Sequence, residues 1–311
     1  MKKYLESLRK ELKTNGLNDI DIQDIINDLT EMIHEAMDEG LDEVDIPKKF
    51  GHPKDLAKDL AKDETNQSEK SKAKDGLLFS TSDIQMIDVK LYNEDINIVS
   101  GENDRIEVYG ENVDRKNYKI YKESHCLCLE RKNTLAVKFR IFRTSNEKFI
   151  IKLPKDYQLK DISLNIKSSD GGLNHIKTNR LTIRSVSGDL KISNVHGEDF
   201  QMKSISGDVN IKNTEWITLT ISNVSGDFDI NHTHVKDNIR INTVSGDVDI
   251  FESSGKELDY NAVSGDLIGK EFYPESMALK SISGDIKIKN KDQSKPIEII
   301  RKRSLSGDID I

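Results

Sequence analysis

The sequence predicts a multidomain chain of α plus all-β class: a small N-terminal helical bundle followed by a parallel β-solenoid, β-helix-like, with coils of about 19 residues. Three observations carry this. The tripeptide Ser-Gly-Asp returns seven times between residues 187 and 308, in steps of 19, 19, 20, 19, 19 and 23. Apolar residues recur at fixed offsets around it. The first sixty-odd residues carry a helical period instead, with no trace of the repeat.

Residues 1–62 form the expected helical domain. Tyr4, Leu5, Leu8 and Leu12 make one apolar stripe, and Asn15-Gly16 is a stop signal. A longer helix starts near Asn18 or Asp19. Its stripe is Ile22, Ile25, Ile26, Leu29, Met32, Ile33, Ala36 and Met37, and Gly40 can cap it. A short helical turn holds Ile46 and Phe50 before Gly51-His52-Pro53. A last helix from Pro53 places Leu56, Ala57, Leu60 and Ala61 on one face. Such a bundle is near the lower size limit for independent stability, so part of its apolar surface is expected to serve a partner. Residues 63–76 are rich in Lys, Asp, Glu and Ser and read as a solvated linker.

The solenoid is expected over residues 77–311. Residues 77–180 are its irregular capping part, with strands at Val89/Leu91, Ile96/Ile98, Ile106/Val108, Tyr118/Ile120, Cys126/Cys128, Val137/Phe139/Ile141 and Phe149/Ile151/Leu153. Ser100-Gly101-Glu102 and Ser168-Ser169-Asp170 resemble degraded copies of the later corner. The regular coils fill residues 181–311. Directly before Ser stands Val186, Ile205, Val224, Val244, Val263, Ile282 or Leu305. Small residues precede these, as in Ser185, Ser204 and Ala262. Two short alternating strands per coil follow, and stacking in register at roughly 4.8 Å would bury their apolar rows as continuous ladders. Seven coils make a rod on the order of 35 Å long. A propeller needs blades of about 40 residues or more.

The corner ladder is Ser187-Gly188-Asp189, then Gly207-Asp208, Gly226-Asp227, Gly246-Asp247, Gly265-Asp266, Gly284-Asp285 and Gly307-Asp308, each after its own Ser. Gly suits a turn that needs positive φ, and Ser and Asp can accept hydrogen bonds from corner N–H groups. Carboxylates stacked about 5 Å apart repel by roughly 1 kcal/mol per pair in water, so backbone donors, Lys neighbours or a cation must offset them. The ladder reads as structural; a divalent-cation ladder is the alternative. No cofactor, metal set or catalytic residue is assigned.

The net charge of −8 argues against a nucleic-acid footprint. Residues 1–75 hold 13 Lys/Arg and 19 Asp/Glu, a net of −6, against 34 and 36, a net of −2, in the remainder. No apolar run approaches the roughly 20 residues of a membrane span, and charge interrupts the N-terminus too early for a secretory signal. A cytoplasmic chain is expected. The two cysteines, Cys126 and Cys128, read as packed strand residues beside His125. His232 and His234 read as solvated, and Trp216, the sole tryptophan, as packed rather than a sugar platform. The histidines match no zinc-protease spacing, and the chain has no Gly-x-Ser-x-Gly elbow and no phosphate-cradling Gly-x-x-x-x-Gly-Lys loop.

The Ser-Gly-Asp coils, the stretch Leu91…Asp95-Ile96-Asn97-Ile98-Val99-Ser100-Gly101 and the step Leu153-Pro154 resemble the bacterial β-strand-repeat family called putative adhesin or LiaG-like. This resemblance covers residues 80–311. Residues 1–62 resemble the HAAS-type helical domain, with its Gly40, Gly51-His52-Pro53 and final helix. Together they imply a Firmicute-like protein tied to envelope-stress or PadR-regulated signalling. The expected function is therefore a non-enzymatic signalling and interaction protein. Its helical module would recruit a protein partner, a PadR-like regulator, and its solenoid would be a rigid binding surface. An adhesin or carbohydrate-binding surface protein is the alternative, and a polysaccharide-acting solenoid enzyme stands behind both. The strand edge at Ile309-Asp310-Ile311 leads to an expectation of homo-oligomers by end pairing.

Overall fold

The computed structural model describes residues 1–38, 40–58, 60, 75–132, 146–292 and 294–311. The chain divides into a helical unit and a β unit.

In the helical unit, α1 (Lys2–Thr14) buries Tyr4, Leu8 and Leu12. Gly16 ends it at φ +90°. There the Gly16 N–H bonds the Lys13 carbonyl at 3.1 Å and the Leu17 N–H bonds that of Leu12 at 3.3 Å, the paired bonds of a Schellman stop. Asn18 Oδ1 accepts the Asp21 N–H at 2.9 Å and so opens α2 (Asp19–Asp38). Ile22, Ile26, Leu29 and Ile33 of α2 are buried, while the side chains of Met32 and Ala36 lie outside the described residues. After α3 (Ile46–Phe50), residues 53–58 form α4, and Leu56, Ala57 and Leu60 complete the same core. The Tyr4 hydroxyl donates to the Gly51 carbonyl at 2.7 Å, and burial pushes its pKa up to about 12.

Of the linker expected over 63–76, residues 63–74 lie outside the described residues, as does the strand expected at Val137/Phe139/Ile141. Gly76 already opens the first strand of the β unit. That unit is a parallel β-solenoid of about eight turns. Its long strands are β9 (Gly171–Arg184), β10 (Leu190–Lys203), β13 (Phe228–Thr243), β14 (Val248–Ala262) and β15 (Leu267–Lys280). The coil between β10 and β13 is split into β11 (Val209–Trp216) and β12 (Thr218–Ser222). Registers such as Leu190↔Val209, Val209↔Phe228 and Val248↔Leu267 step by one coil, so Ile192, Ile211, Ile230 and Ile250 stack as one buried column. The 20-residue step is absorbed as a register shift between Val235 and Asn238. The 23-residue step falls between β16 (Ile286–Lys289) and β17 (Glu298–Arg303), ahead of β18 (Ile309–Asp310).

In β9, β10, β13, β14 and β15 the two short strands expected per coil run together as one long strand with an internal corner, whereas other coils, such as that of β11 and β12, keep them separate. The corner is a left-handed residue that recurs with the period: Asp156, His175, Asn194, Asn213, His232, Glu252 and Glu271, all at φ between 47° and 56°. Asn, Asp and His tolerate this region better than most residues, which explains their share of the column.

Regular stacking reaches back to β8 (Gln158–Asn165), which pairs with β9 from Gln158↔Lys177. Below it lies a coil made of β2 (Met86–Lys90) and β3 (Asp95–Ser100), paired as Met86↔Asp161 and Ile96↔Gly171. After Ser100 the chain leaves the stack, and residues 126–131 and 148–153 lie beneath it. There β6 (Cys126–Arg131) lies parallel to β2, and β7 (Lys148–Leu153) parallel to β3. Antiparallel partners cover them: β5 (Tyr118–Glu123) on β6, and β4 (Ile106–Glu111) on β7, with β1 (Gly76–Thr81) on β4. The reading of Ser100-Gly101-Glu102 as a corner is overturned, because Ser100 pairs with Leu153 at the end of β3. The corner of that coil is Asn93-Glu94-Asp95, since Asp95 Oδ1 accepts the Asp170 N–H at 3.2 Å.

Candidate functional site

The Ser-Gly-Asp corner is the most repeated surface of the molecule. Its three residues have three different jobs. Each Asp accepts, on Oδ1, the N–H of the Asp one coil on: Asp189 from Asp208 at 2.9 Å, Asp227 from Asp247 at 2.9 Å and Asp266 from Asp285 at 2.7 Å. Asp170 and Asp95 extend the ladder downward. Backbone donors thus offset part of the repulsion between the stacked carboxylates. At Asp285 the N–H of Asp308, and then Lys287 at 3.0 Å, hold the carboxyl below its ordinary pKa. Among the described residues, no group of three or more His, Cys, Asp or Glu is placed to hold a metal ion.

Ser acts as a donor here, not as the acceptor expected. Ser206, Ser225 and Ser264 donate their hydroxyls at 3.3 Å to the carbonyls of Val186, Ile205 and Val244, which already take the same residues' N–H groups. Positive φ explains glycine only at Gly188, Gly207 and Gly226. The cause common to the column is close approach: a Cβ at Gly246 would stand 2.0 Å from the Gly226 carbonyl oxygen, and one at Gly307 2.1 Å from that of Gly284.

The small residue two before Ser points inward and ties the corner backbone. Ser204 Oγ donates to the Ser206 carbonyl at 2.9 Å, Asn223 Nδ2 to that of Gly226 at 2.6 Å, and Ser281 Oγ accepts the Gly284 N–H at 2.9 Å. Ala262 has no polar atom to offer. In its coil the buried Tyr260 hydroxyl donates to the Gly265 carbonyl at 2.9 Å instead.

The aliphatic residue directly before Ser points outward, so stacking does not bury this row. Val186 is 45% exposed, Ile205 52%, Val224 47%, Val244 44%, Val263 42%, Ile282 43% and Leu305 83%. One rung per coil, they form a continuous apolar ridge. The Asp ladder runs along one side of it. Two residues before each ridge residue, on the other side, stand Arg184, Lys203, Ser222, Asn242, Asn261, Lys280 and Arg303, none of them acidic.

Other candidate residues are accounted for. Trp216 is fully buried, packs on Phe200 at 5.0 Å between centroids and covers Gly197, where a Cβ would meet its ring at 2.4 Å. The Cys126 and Cys128 sulfurs lie 3.7 Å apart, and burial, ahead of the neighbouring thiol, pushes Cys126 up to about 12. His234 Nδ1 lies 2.7 Å from Ser254 Oγ, and His232 meets the Glu252 carboxylate; both histidines are exposed. A surface cavity of about 640 Å³ adjoins His232, lined by Phe251, Lys270, Lys289 and Lys291 among others.

One cluster had no sequence signal. Buried Arg131 pairs with buried Glu94 and with Glu147 at 3.1 Å. The Tyr118 hydroxyl lies 2.9 Å from Glu94 and 2.7 Å from Glu147. Glu94 Oε2 also accepts the N–H groups of Tyr92 and Asn93. Four residues scattered over fifty positions meet only because β5, β6 and β7 lie under the first coil, and they pin the cap there.

The family model described as Toastrack DUF4097 matches residues 84–268 and 237–311. The chain belongs to the Toastrack DUF4097 family. The HAAS model matches residues 3–59 of this Toastrack chain, over the helical unit. No curated protein matches its sequence. Among solved structures, a putative lipid binding protein from Parabacteroides distasonis ATCC 8503 is similar at 16% identity and TM-score 0.56, over 77% of the Toastrack chain and 98% of its own. A putative adhesin (BF0245) from Bacteroides fragilis NCTC 9343 is similar at 17% identity and TM-score 0.47, over 70% and 98%. The first likeness shows a shared fold.

Proposed function

We propose that this chain is a non-catalytic interaction protein, in which the helical HAAS unit recruits a protein partner and the solenoid is a rigid docking surface. The observation that carries this is the apolar ridge, exposed on a scaffold whose corner backbone is already hydrogen-bonded. Such a surface has side chains to offer and few backbone groups left to pair. The Asp ladder supports a non-catalytic role. Its carboxylates sit in near-identical bonds, whereas acid–base catalysis needs environments that push two groups apart.

In its finer form, the partner is a PadR-like regulator, the setting is envelope-stress signalling, and the compartment is the cytoplasm. No described helix is long and apolar enough to cross a membrane. On the helical unit Val44 is 82% exposed in the turn Glu43–Asp45, a ready anchor for a partner. The test is calorimetry of the full chain against a purified PadR-type regulator from the same genome. Binding is expected, weakened roughly tenfold by Val44→Asp with the fold intact by circular dichroism. No heat with the regulator, together with retention of the chain on cell-wall polysaccharide, would move the reading to a carbohydrate-binding adhesin.

A further inference from the structure

We propose that the ridge from Val186 to Leu305 is the seam of a side-by-side, parallel dimer with a second copy of this chain. The proposal deepens the interaction reading by naming an occupant for the ridge.

Three observations lead there. The ridge is apolar along the whole regular stack, without one polar interruption from Val186 to Leu305. Its rungs share the coil spacing, so an identical ridge laid along it stays in step from end to end, which an unrelated surface would not do. Its two flanks differ in charge. On one side lies the unbroken Asp ladder, in which Asp285 with Lys287 is the ion pair found among the described residues. On the other side stand Arg184 and Lys203 at one end, Lys280 and Arg303 at the other, and neutral Ser or Asn between.

The charge pattern selects the geometry. A two-fold axis along the ridge sets each coil opposite its own copy and turns the Asp flank of one chain toward the Arg/Lys/Asn flank of the other. A two-fold axis across the ridge would lay Asp against Asp, a repulsive column. Strand addition is disfavoured at this corner, because the Ser and Asp N–H groups already have partners one coil below. Contact is therefore through side chains. One aliphatic residue per rung makes an interface at the small end of stable ones, which places the dissociation constant in the micromolar range rather than the nanomolar.

The test is sedimentation of the full chain over rising concentration, with cross-linking by introduced cysteines. Val244→Cys should give a disulfide-linked homodimer on mild oxidation, above the background of the parent with its native Cys126 and Cys128. A mixture of Val186→Cys and Ile282→Cys chains should give no Val186–Ile282 product. The double variant Val224→Asp/Val263→Asp should weaken self-association by roughly tenfold or more. The milder Val224→Thr/Val263→Thr keeps the side-chain shape and guards against misfolding as the cause. A chain monomeric at every concentration, a dimer indifferent to both double variants, or cross-linking of Val186→Cys to Ile282→Cys would each overturn the proposal. None of these outcomes touches the Val44 experiment, so the dimer can fail while the interaction reading stands.

Discussion

Tyr260 and Ala262 show how a repeat keeps its chemistry when one residue drifts. Most coils tie the corner with a small polar side chain two residues before Ser. This coil has Ala262 there, and Tyr260, on the same inward face, supplies the missing donor to the Gly265 carbonyl. Tyr260→Phe should therefore cost about 1–3 kcal/mol, because it leaves a buried acceptor unpaired. Ala262→Thr, which copies the Thr243 hydroxyl bonded to the Gly246 carbonyl, added to Tyr260→Phe should restore much of that loss, whereas Ala262→Thr alone should do little. Urea melts of the four chains read the coupling directly, and strict additivity would show that the two residues do not share the job. The same coil limits what a sequence can reveal. Small residues before each Ser are legible as inward-facing, but a tyrosine taking over the hydrogen bond that Asn223 and Thr243 make to the glycine carbonyl of their own corners is visible only in the structure.

At the scale of the coil, the repeat made the architecture plain, and for a physical reason. Stacked coils place equivalent residues in equivalent surroundings, so side-chain requirements recur in print. What did not show was any feature whose cause lies in a neighbouring coil. The glycine column was read through turn conformation, yet contact with the carbonyl one coil away is its general cause. The left-handed column from Asp156 to Glu271 was missed because Asn, His and Glu share no obvious class, although its 19-residue period was there to find. The outward direction of the aliphatic rung was implied by the inward residue beside it, but burial of every apolar row was the simpler expectation. Gly246→Ala tests the close-approach account. Its Cβ must displace a rigid backbone oxygen, so a loss of about 3 kcal/mol is expected, several times that of Gly16→Ala, where nothing lies within 4 Å and only the backbone angle is strained. Equal, small losses at both sites would refute it.

For the β unit as a whole, stability should be distributed as in a one-dimensional stack. Strands β10, β13, β14 and β15 are held on both sides, whereas β17 and β18 each pair with one strand, and every residue of β17 is exposed. Amide exchange should therefore be slowest in the middle of the stack and fastest in β17 and β18. Uniform protection from β8 to β18 would mean that the coils unfold as one block. The cap stands apart from this gradient, since its buried Arg131–Glu94 pair depends on strands far apart in the sequence.

The sequence distance between β3 and β8 also sets an order of events during synthesis. From β8 onward, each coil needs only the nineteen or so residues just before it to find its partner. The strands β2 and β3 find theirs much further along the chain, Met86 with Asp161 and Ile96 with Gly171. A nascent chain emerging from a ribosome thus exposes its first coil long before that coil can be covered on both sides. The later coils can zip onto whatever is already in place, whereas covering the first coil requires closing a loop several times longer, at a greater cost in chain entropy.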